Sequence, residues 1–496
     1  MIMKYKYYIL EKYNNLSPSV RASFWFLFSN IFQKSIMVIF TPLFTRIMTV
    51  EEYSKYALFQ SWVTIFTVFA TLNISNYATA KALVEFKEDR DKFISSAEFL
   101  TAILTIFIFG IYLLIRFVFG WLDEFPLWII ILLFADILGV AFFAFWSQME
   151  RFNLKYRALA IVSILMGIFS PVIAFICIAL SDSFELYKGW ARIIGLAVTD
   201  IFVGVFIFYL SYKKSKVLLY TKYWKFCFSY CIPLIPHFLA MAFLQKIGQL
   251  FVERYCGSDM SGIYALANTL AMLMMVVNDA FTKTLVPWTY QKLSEKKYEE
   301  VNKPVILALV LIAVINVAMA LVTPEIVCIF ADKAYAQAIY AVPPLVAVCY
   351  FGFLYNTFAN IEYYFKETKL VSYASITAGF VILLFNFILV PKFGFLAAAY
   401  SSLLSYIVYA LMHYCFMRKT LKKHLNGIQV YDNRLIFKMS MVFTAIILCI
   451  PLLYRFSIIR YLTIAVVLGV IVLFRKRVFN LICVMFSGSP AMKSQI

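Results

Sequence analysis

Among the ionisable side chains inside long apolar runs of this 496-residue chain, the candidates are Lys34, Arg46, Asp136, Arg192, Asp200, Lys246, Asp279, Lys283 and Glu362. A charge at such a depth is costly to place, so each is a candidate for function first. Two kinds of chemistry are open to them. Cations converging on a shared passage compensate an anionic cargo, above all a diphosphate, which cannot enter a low-dielectric cavity unneutralised. Carboxylates at the same depth bind and release a proton or a sodium ion, and Asp136, Asp200 and Asp279 are the candidates for that coupling. Local explanations compete. Asp279 and Lys283 are spaced i, i+4 and can neutralise each other on one helix. Arg46 lies near enough to the end of its run to reach headgroups. His237 titrates near neutrality, but its place after Pro236 also suits a helix terminus.

The elements that must position these groups are membrane spans. With 63% apolar and 14% charged residues, the chain departs from the composition of a soluble globule, roughly half apolar and a quarter charged. In lipid the backbone must satisfy its own polar groups, which leaves helices of about 20 residues or closed barrels. The unbroken runs exclude the barrel. They predict an all-α polytopic protein of about fourteen spans, at about 22–47, 56–80, 94–118, 126–149, 158–180, 189–211, 226–252, 262–288, 304–323, 336–361, 370–390, 394–416, 435–454 and 458–474. The basic first twenty-one residues lack the apolar stretch and cleavage site of a secretory signal, so the first span doubles as the insertion signal. Nine cysteines without a CxxC pair imply neither a disulfide framework nor a metal centre, although Cys256 and Cys328 fall in loops where a bridge could form. No cofactor is implied. Trp25, Trp62, Trp121, Trp128, Trp190, Trp224 and Trp288 near span ends fit interfacial belts, with Tyr264 and Trp288 open to sugar stacking.

A net charge of +19 does not mark a nucleic-acid partner, because its placement follows the membrane: about 31 of the 45 lysines and arginines fall on one side of the fourteen crossings. That side is cytoplasmic and holds both termini. Its richest loops carry Lys213, Lys214, Lys216, Lys222 and Lys225, then Arg418, Lys419, Lys422, Lys423 and Arg434. No connection exceeds about 20 residues and no GxxxxGK[ST] stretch occurs, so transport has to draw on a gradient and not on ATP. Tyr53-Ser54-Lys55-Tyr56-Ala57-Leu58 entering the second span is echoed by Ser261-Gly262-Ile263-Tyr264-Ala265-Leu266 entering the eighth. Six spans apart, the two copies keep one orientation, which predicts two parallel pseudo-twofold lobes around a central cavity. The domains expected are a cytoplasmic segment 1–21, an N-lobe 22–211, a loop 212–225, a C-lobe 226–416, a loop 417–434, two added helices 435–480 and a tail 481–496. Lys34 and Lys246 lie on the first helices of the two lobes, which would set paired cations facing each other across the cavity.

Three stretches resemble one family. They are Pro42-Leu43-Phe44-Thr45-Arg46 with Glu51-Glu52-Tyr53-Ser54-Lys55-Tyr56-Ala57, then Tyr230-Cys231-Ile232-Pro233-Leu234-Ile235-Pro236, then Asn386-Phe387-Ile388-Leu389-Val390-Pro391-Lys392-Phe393-Gly394 with Ala397-Ala398-Ala399. They are similar to motifs of Wzx-type O-antigen flippases, the polysaccharide transporter branch of the multidrug/oligosaccharidyl-lipid/polysaccharide (MOP) exporter superfamily. Ser54 and Ala397 depart from the pattern, where the family usually has glycine. Pro391 and Gly394 are expected to make a tight outer turn, and the three alanines to let helices approach closely. The resemblance implies a flippase of the cell inner membrane, not an enzyme. It would move an undecaprenyl-pyrophosphate-linked oligosaccharide outward by alternating access, with a polysaccharide polymerase and chain-length regulator as protein partners. It also implies a cationic lumen, for which Lys34, Lys246, Arg192, Lys283 and Arg46 are the candidates.

Two other classes compete. A drug or organic-cation exporter of the same fold needs a carboxylate-lined cavity, and the embedded charges here lean basic. A membrane enzyme acting on polyprenyl-linked sugars has only Asp89-Arg90-Asp91 as a DxD-like signature, set among charged neighbours like a solvated hairpin.

Overall fold

The computed structural model describes residues 18–120 and 123–469, and among the described residues there is no strand. In chain order the helices are α1 (Pro18–Ile47), α2 (Val50–Thr71), α3 (Ile74–Glu85), α4 (Arg90–Phe119), α5 (Leu127–Phe152), α6 (Tyr156–Ser181), α7 (Lys188–Ser215) and α8 (Thr221–Cys231). They continue as α9 (Ile235–Cys256), α10 (Ser258–Ser294), α11 (Tyr298–Leu321), α12 (Thr323–Phe330), α13 (Ala338–Tyr364), α14 (Thr368–Phe393), α15 (Phe395–Leu425), α16 (Asn433–Leu453) and α17 (Ser457–Gly469). Taking α2 with α3 and α8 with α9 as single bent spans, 12 of the described helical stretches are long and apolar enough to cross a membrane. They lie between α1 and α17.

The predicted spans from 22–47 to 435–454 fall in order on α1 to α16, and most of these helices run past the predicted bounds; the last, 458–474, begins on α17, and its residues 470–474 lie outside the described residues. The run expected at 262–288 is the 37-residue α10, and that at 394–416 is the 31-residue α15. Hydropathy reports only the part of a helix in lipid, whereas Lys, Glu and Gln continue a helix into water at little cost. Their basic last turns, Lys292 in α10 and Lys422, Lys423 and His424 in α15, also complement the helix dipole. Two local expectations change. The loop expected between the ninth and tenth spans contains α12, started by Pro324, which is tolerated there because the first-turn N–H has no partner to lose. The turn expected over Pro391–Gly394 shrinks to one residue: α14 runs through Pro391, and Gly394 at φ 74° is the whole link to α15.

The chain forms two compact units, residues 1–40 with 59–238 and residues 41–58 with 239–496. In the first, α5 and α7 cross glycine on glycine, and a Cβ at Gly204 would overlap the Gly139 backbone. Gly195 meets Ala174 of α6 in the same way. Packing of this kind holds helices together where lipid removes the hydrophobic drive. In the second unit every residue of α13 from Ala341 to Leu354 is buried, so protein surrounds that helix on all sides. Ala397, Ala398 and Ala399 are buried there as well.

Candidate functional site

Two spans are broken. Between α2 and α3, Leu72 and Asn73 take left-handed backbone angles (φ 47° and 50°), a conformation costing an L-residue roughly 1–2 kcal/mol. Between α8 and α9 the chain passes through a short 3₁₀ turn at Ile232–Leu234 containing Pro233. The two breaks share one core of the first unit, where Leu72, Ile74 and Ala78 pack with Tyr223, Cys227 and Cys231. The rings of Tyr77 and Phe238 lie 4.3 Å apart beside them. Discontinuous spans of this sort free backbone dipoles at depth, and in membrane transporters such breaks form binding sites.

In the first unit Asp136 and Asp200 come together where α5 crosses α7, close enough to repel each other. Asp136 is 3% exposed, and its Oδ1 has no hydrogen-bond partner among the described residues. Arg192 is buried near the start of α7. Lys34 lies on α1, but its side chain falls outside the described residues. Glu98, which the sequence reading passed over, is fully buried on α4; Ser211 donates to its Oε1 at 3.3 Å, and Oε2 is left without a partner.

In the second unit Lys246 is half-buried on α9, and Lys283 is exposed on α10. Neither forms an ion pair or hydrogen bond among the described residues, so Lys283 does not neutralise Asp279. Asp279 is half-buried and has another contact. Arg46 is exposed and donates to the Ile329 carbonyl at 3.0 Å, capping α12. The neighbouring motif residues also act as staples. Ser54 donates to Glu253 Oε2 at 2.7 Å, while Lys55 (3.1 Å) and Ser258 (2.7 Å) donate to Oε1. A Cβ at Gly262 would overlap the Val50 carbonyl, so the two sequence echoes pack on each other. Glu362, named from the sequence, meets a residue that was not: His413 Nδ1 lies 2.9 Å from its Oε1, both side chains fully buried. A histidine inside an apolar run carries the same signal as an aspartate there, and it was legible at position 413.

The remaining candidates sit in local roles. His237 is half-buried in the first turn of α9. Asp89 pairs with Lys92 at 2.7 Å, Asp91 with Lys214 at 2.8 Å, and Arg90 donates to the Leu83 carbonyl at 2.8 Å. The Lys92 hydrogen bond holds the Asp89 carboxyl below its ordinary range. Tyr264 and Trp288 are buried, which leaves neither ring a face for a sugar in this conformation. Cys256 and Cys328 are free thiols.

Helices long enough to span, two of them broken, with buried ionisable groups packed among them, define a polytopic membrane protein. Residues 19–293 match the family described as "Polysaccharide biosynthesis protein", and the chain belongs to that family. An uncharacterized membrane protein of Haemophilus influenzae is 20% identical over 378 residues, covering 73% of this chain and 88% of the relative. The Lsg locus putative protein 1 of the same organism is 21% identical over 198 residues, covering 38% of this chain and 49% of the relative. Among solved structures, the lipid II flippase MurJ in an inward closed conformation superposes with a TM-score of 0.62 at 15% identity, covering 92% of this chain and all 100% of that one. An inward-facing multidrug resistance MATE transporter of the MOP superfamily gives 0.57 at 13% identity, covering 80% and 96%. A MOP transporter from Pyrococcus furiosus with a binding pocket of reversed polarity gives 0.55 at 14%, covering 82% and 96%. The fold is the one these MOP transporters share.

Proposed function

We propose that this protein is a flippase for an oligosaccharide carried on a polyprenyl pyrophosphate such as undecaprenyl pyrophosphate. It moves the headgroup across the cytoplasmic membrane by alternating access, with both termini in the cytoplasm, while the lipid tail stays in the bilayer. The observation that carries this is the state of Lys246, an embedded cation with no carboxylate partner among the described residues. A half-buried charge within a span and without a counter-ion is unfavourable unless water or a ligand compensates it, and a diphosphate is such a ligand. Lys283 adds a second unpaired cation in the same unit, with Lys34 and Arg192 the candidates in the other. Family membership supports a polysaccharide precursor as cargo. Asp136, Asp200 and Asp279 are the aspartates for gradient coupling, and Asp136 has the deeper burial and a free oxygen.

The test is flipping of a polyprenyl-pyrophosphate oligosaccharide by the purified protein in liposomes, beside restoration of surface polysaccharide in cells lacking their own flippase. Lys34→Ala with Lys246→Ala is expected to abolish both while membrane expression holds. Each lost charge-assisted contact of about 1.5–3 kcal/mol weakens binding at least tenfold. Full transport by the double variant rejects the cationic site.

A further inference from the structure

The pair Glu362–His413 is more deeply buried than the ion pairs Lys55–Glu253 and Arg460–Glu325 of the second unit. Around Glu253, both carboxylate oxygens are satisfied by Ser54, Lys55 and Ser258, as expected of a structural pin. Glu362 and His413 are more deeply buried, at 0% exposure each, yet Glu362 Oε2 and His413 Nε2 have no partner among the described residues. Two orphaned polar atoms in one pair cost about 1–3 kcal/mol each. Arg460–Glu325 also leaves Nε and Oε2 unpartnered, but Glu325 is 36% exposed, whereas Glu362 and His413 are both sealed from solvent. The pair joins α13 to α15, and the groups facing it from both helices are aromatic. Tyr355 stacks on the imidazole with centroids 5.5 Å apart, Tyr409 meets it edge-on at 4.7 Å, and Tyr406 lies 6.3 Å from Tyr409.

From the elements packed around the pair, α9 offers Met241, whose sulfur accepts from the Tyr409 hydroxyl at 3.7 Å. On α14 the buried side chains of this core are Ala374, Ala378 and Ile382. From α10, Tyr290 lies 5.5 Å from Tyr364, with Tyr363 a further titratable group beside Tyr409. On α13 and α15 fixed charges are confined to the helix ends, where Lys423 and His424 bind Glu367 and hold its carboxyl below the ordinary range, while α9 carries Lys246 and α10 carries Asp279 and Lys283 within their spans. No lysine or arginine neutralises the pair among the described residues, so its total charge is set by how many protons it holds.

We propose that Glu362 and His413 form the proton-binding centre that couples this transporter to a proton gradient, a reading that rests on the transport function above. With one proton shared across the 2.9 Å contact the pair is neutral overall, the state a sealed, low-dielectric site favours. Without that proton it carries one negative charge and needs water. The step is a proton transfer with nothing else consumed: the pair binds one proton from the acidic aqueous face when open there. It stays neutral while sealed, then releases the same proton to the more alkaline face on opening to it. Because the charged state is stable only when hydrated, proton occupancy and conformation are linked, as coupling requires. The orphaned Nε2 and Oε2 are the atoms that water reaches first in an open state.

Two measurements on the full chain decide this. In proteoliposomes, each coupled proton multiplies steady-state accumulation of polyprenyl-pyrophosphate oligosaccharide by about ten per unit of pH gradient. Wild type is expected to show at least that factor. Glu362→Gln and His413→Gln are expected to lose the gradient effect while still exchanging cargo across the membrane without a gradient. Either variant retaining gradient-driven accumulation, or wild type responding only to sodium, overturns the proposal. The second measurement needs no variant at the pair. The chain has three histidines, so ring-labelled protein in nanodiscs gives three imidazole signals, with His237→Gln and His424→Gln assigning the other two. The His413 signal is expected to change as the pair gains and loses its proton when the pH is varied. A His413 signal that never responds to pH while the protein stays folded overturns the coupling role whether or not the variants fold. Absence of all cargo movement by wild type would instead reject the flippase reading, and the histidine titration would still decide the proton site.

Discussion

At the scale of residues, the groups that carry family recognition and those that carry chemistry are different sets. Thr45, Arg46, Ser54 and Lys55 belong to the stretch that resembles the family, and the structure uses them to hold α12 and Glu253 in place. Ser54 occupies a position where the family usually has glycine, and its hydroxyl supplies a hydrogen bond that glycine cannot. Glu253→Ala is expected to destabilise the protein by about 3 kcal/mol, since it removes charge-assisted hydrogen bonds worth about 1.5–3 kcal/mol each and leaves partly buried Lys55 unpaired. A lower unfolding temperature in detergent, with Ser54→Gly showing a smaller drop, would confirm the staple; equal stability would refute it. The sequence made Asp136 and Glu362 visible because a carboxylate in an apolar run stands out. It could not say that Asp136 meets Asp200 or that Glu362 meets His413, because each pairing is made across helices that only packing brings together.

Elements were legible wherever lipid dictated them and less so where the chain breaks its own rule. Apolar length alone located the 12 described stretches long enough to span, yet the kink between α2 and α3 has no proline or glycine to announce it, being made by Leu72 and Asn73 at positive φ. Its counterpart between α8 and α9 is announced, by Pro233. Close crossings were also invisible, since a single glycine in a span reads as neutral until its neighbour is known. Gly204→Val is expected to force α7 away from α5 and cost at least about 3 kcal/mol, beyond the usual range for overpacking because the obstructing atoms are Gly139 backbone. Gly110→Ala, on α4 with nothing within 4 Å of the added carbon, is expected to leave stability unchanged or raise it by about 0.5–1 kcal/mol. Comparing the two by thermal unfolding in detergent separates packing from propensity. Equal losses at both sites would mean that the α5–α7 crossing is not close-packed in the membrane.

For the whole molecule, charge and helix length together predict how the chain sits across the bilayer. The 37 residues of α10 extend about 55 Å at 1.5 Å per residue, against a hydrocarbon core of about 30 Å. The 31-residue α15 is likewise longer than the core requires. Their excess lies at the C-terminal ends, where Lys292 and then Lys422, Lys423 and His424 gather, and those are ends the basic bias assigns to the cytoplasm. A cysteine-free version with Ser294→Cys, just past Lys292, is therefore expected to resist a membrane-impermeant maleimide until cells are opened. Ser183→Cys, exposed in the connection between α6 and α7, is expected to react from outside at once. The reverse pattern would invert the orientation, and with it the direction of the gradient acting on the Glu362–His413 pair. The two proposals are thus tied: in an inverted chain the pair would load its proton through the opposite end of the molecule, and cargo movement would be coupled in the opposite sense, so labelling of these two serines tests the sense of coupling as well as the topology.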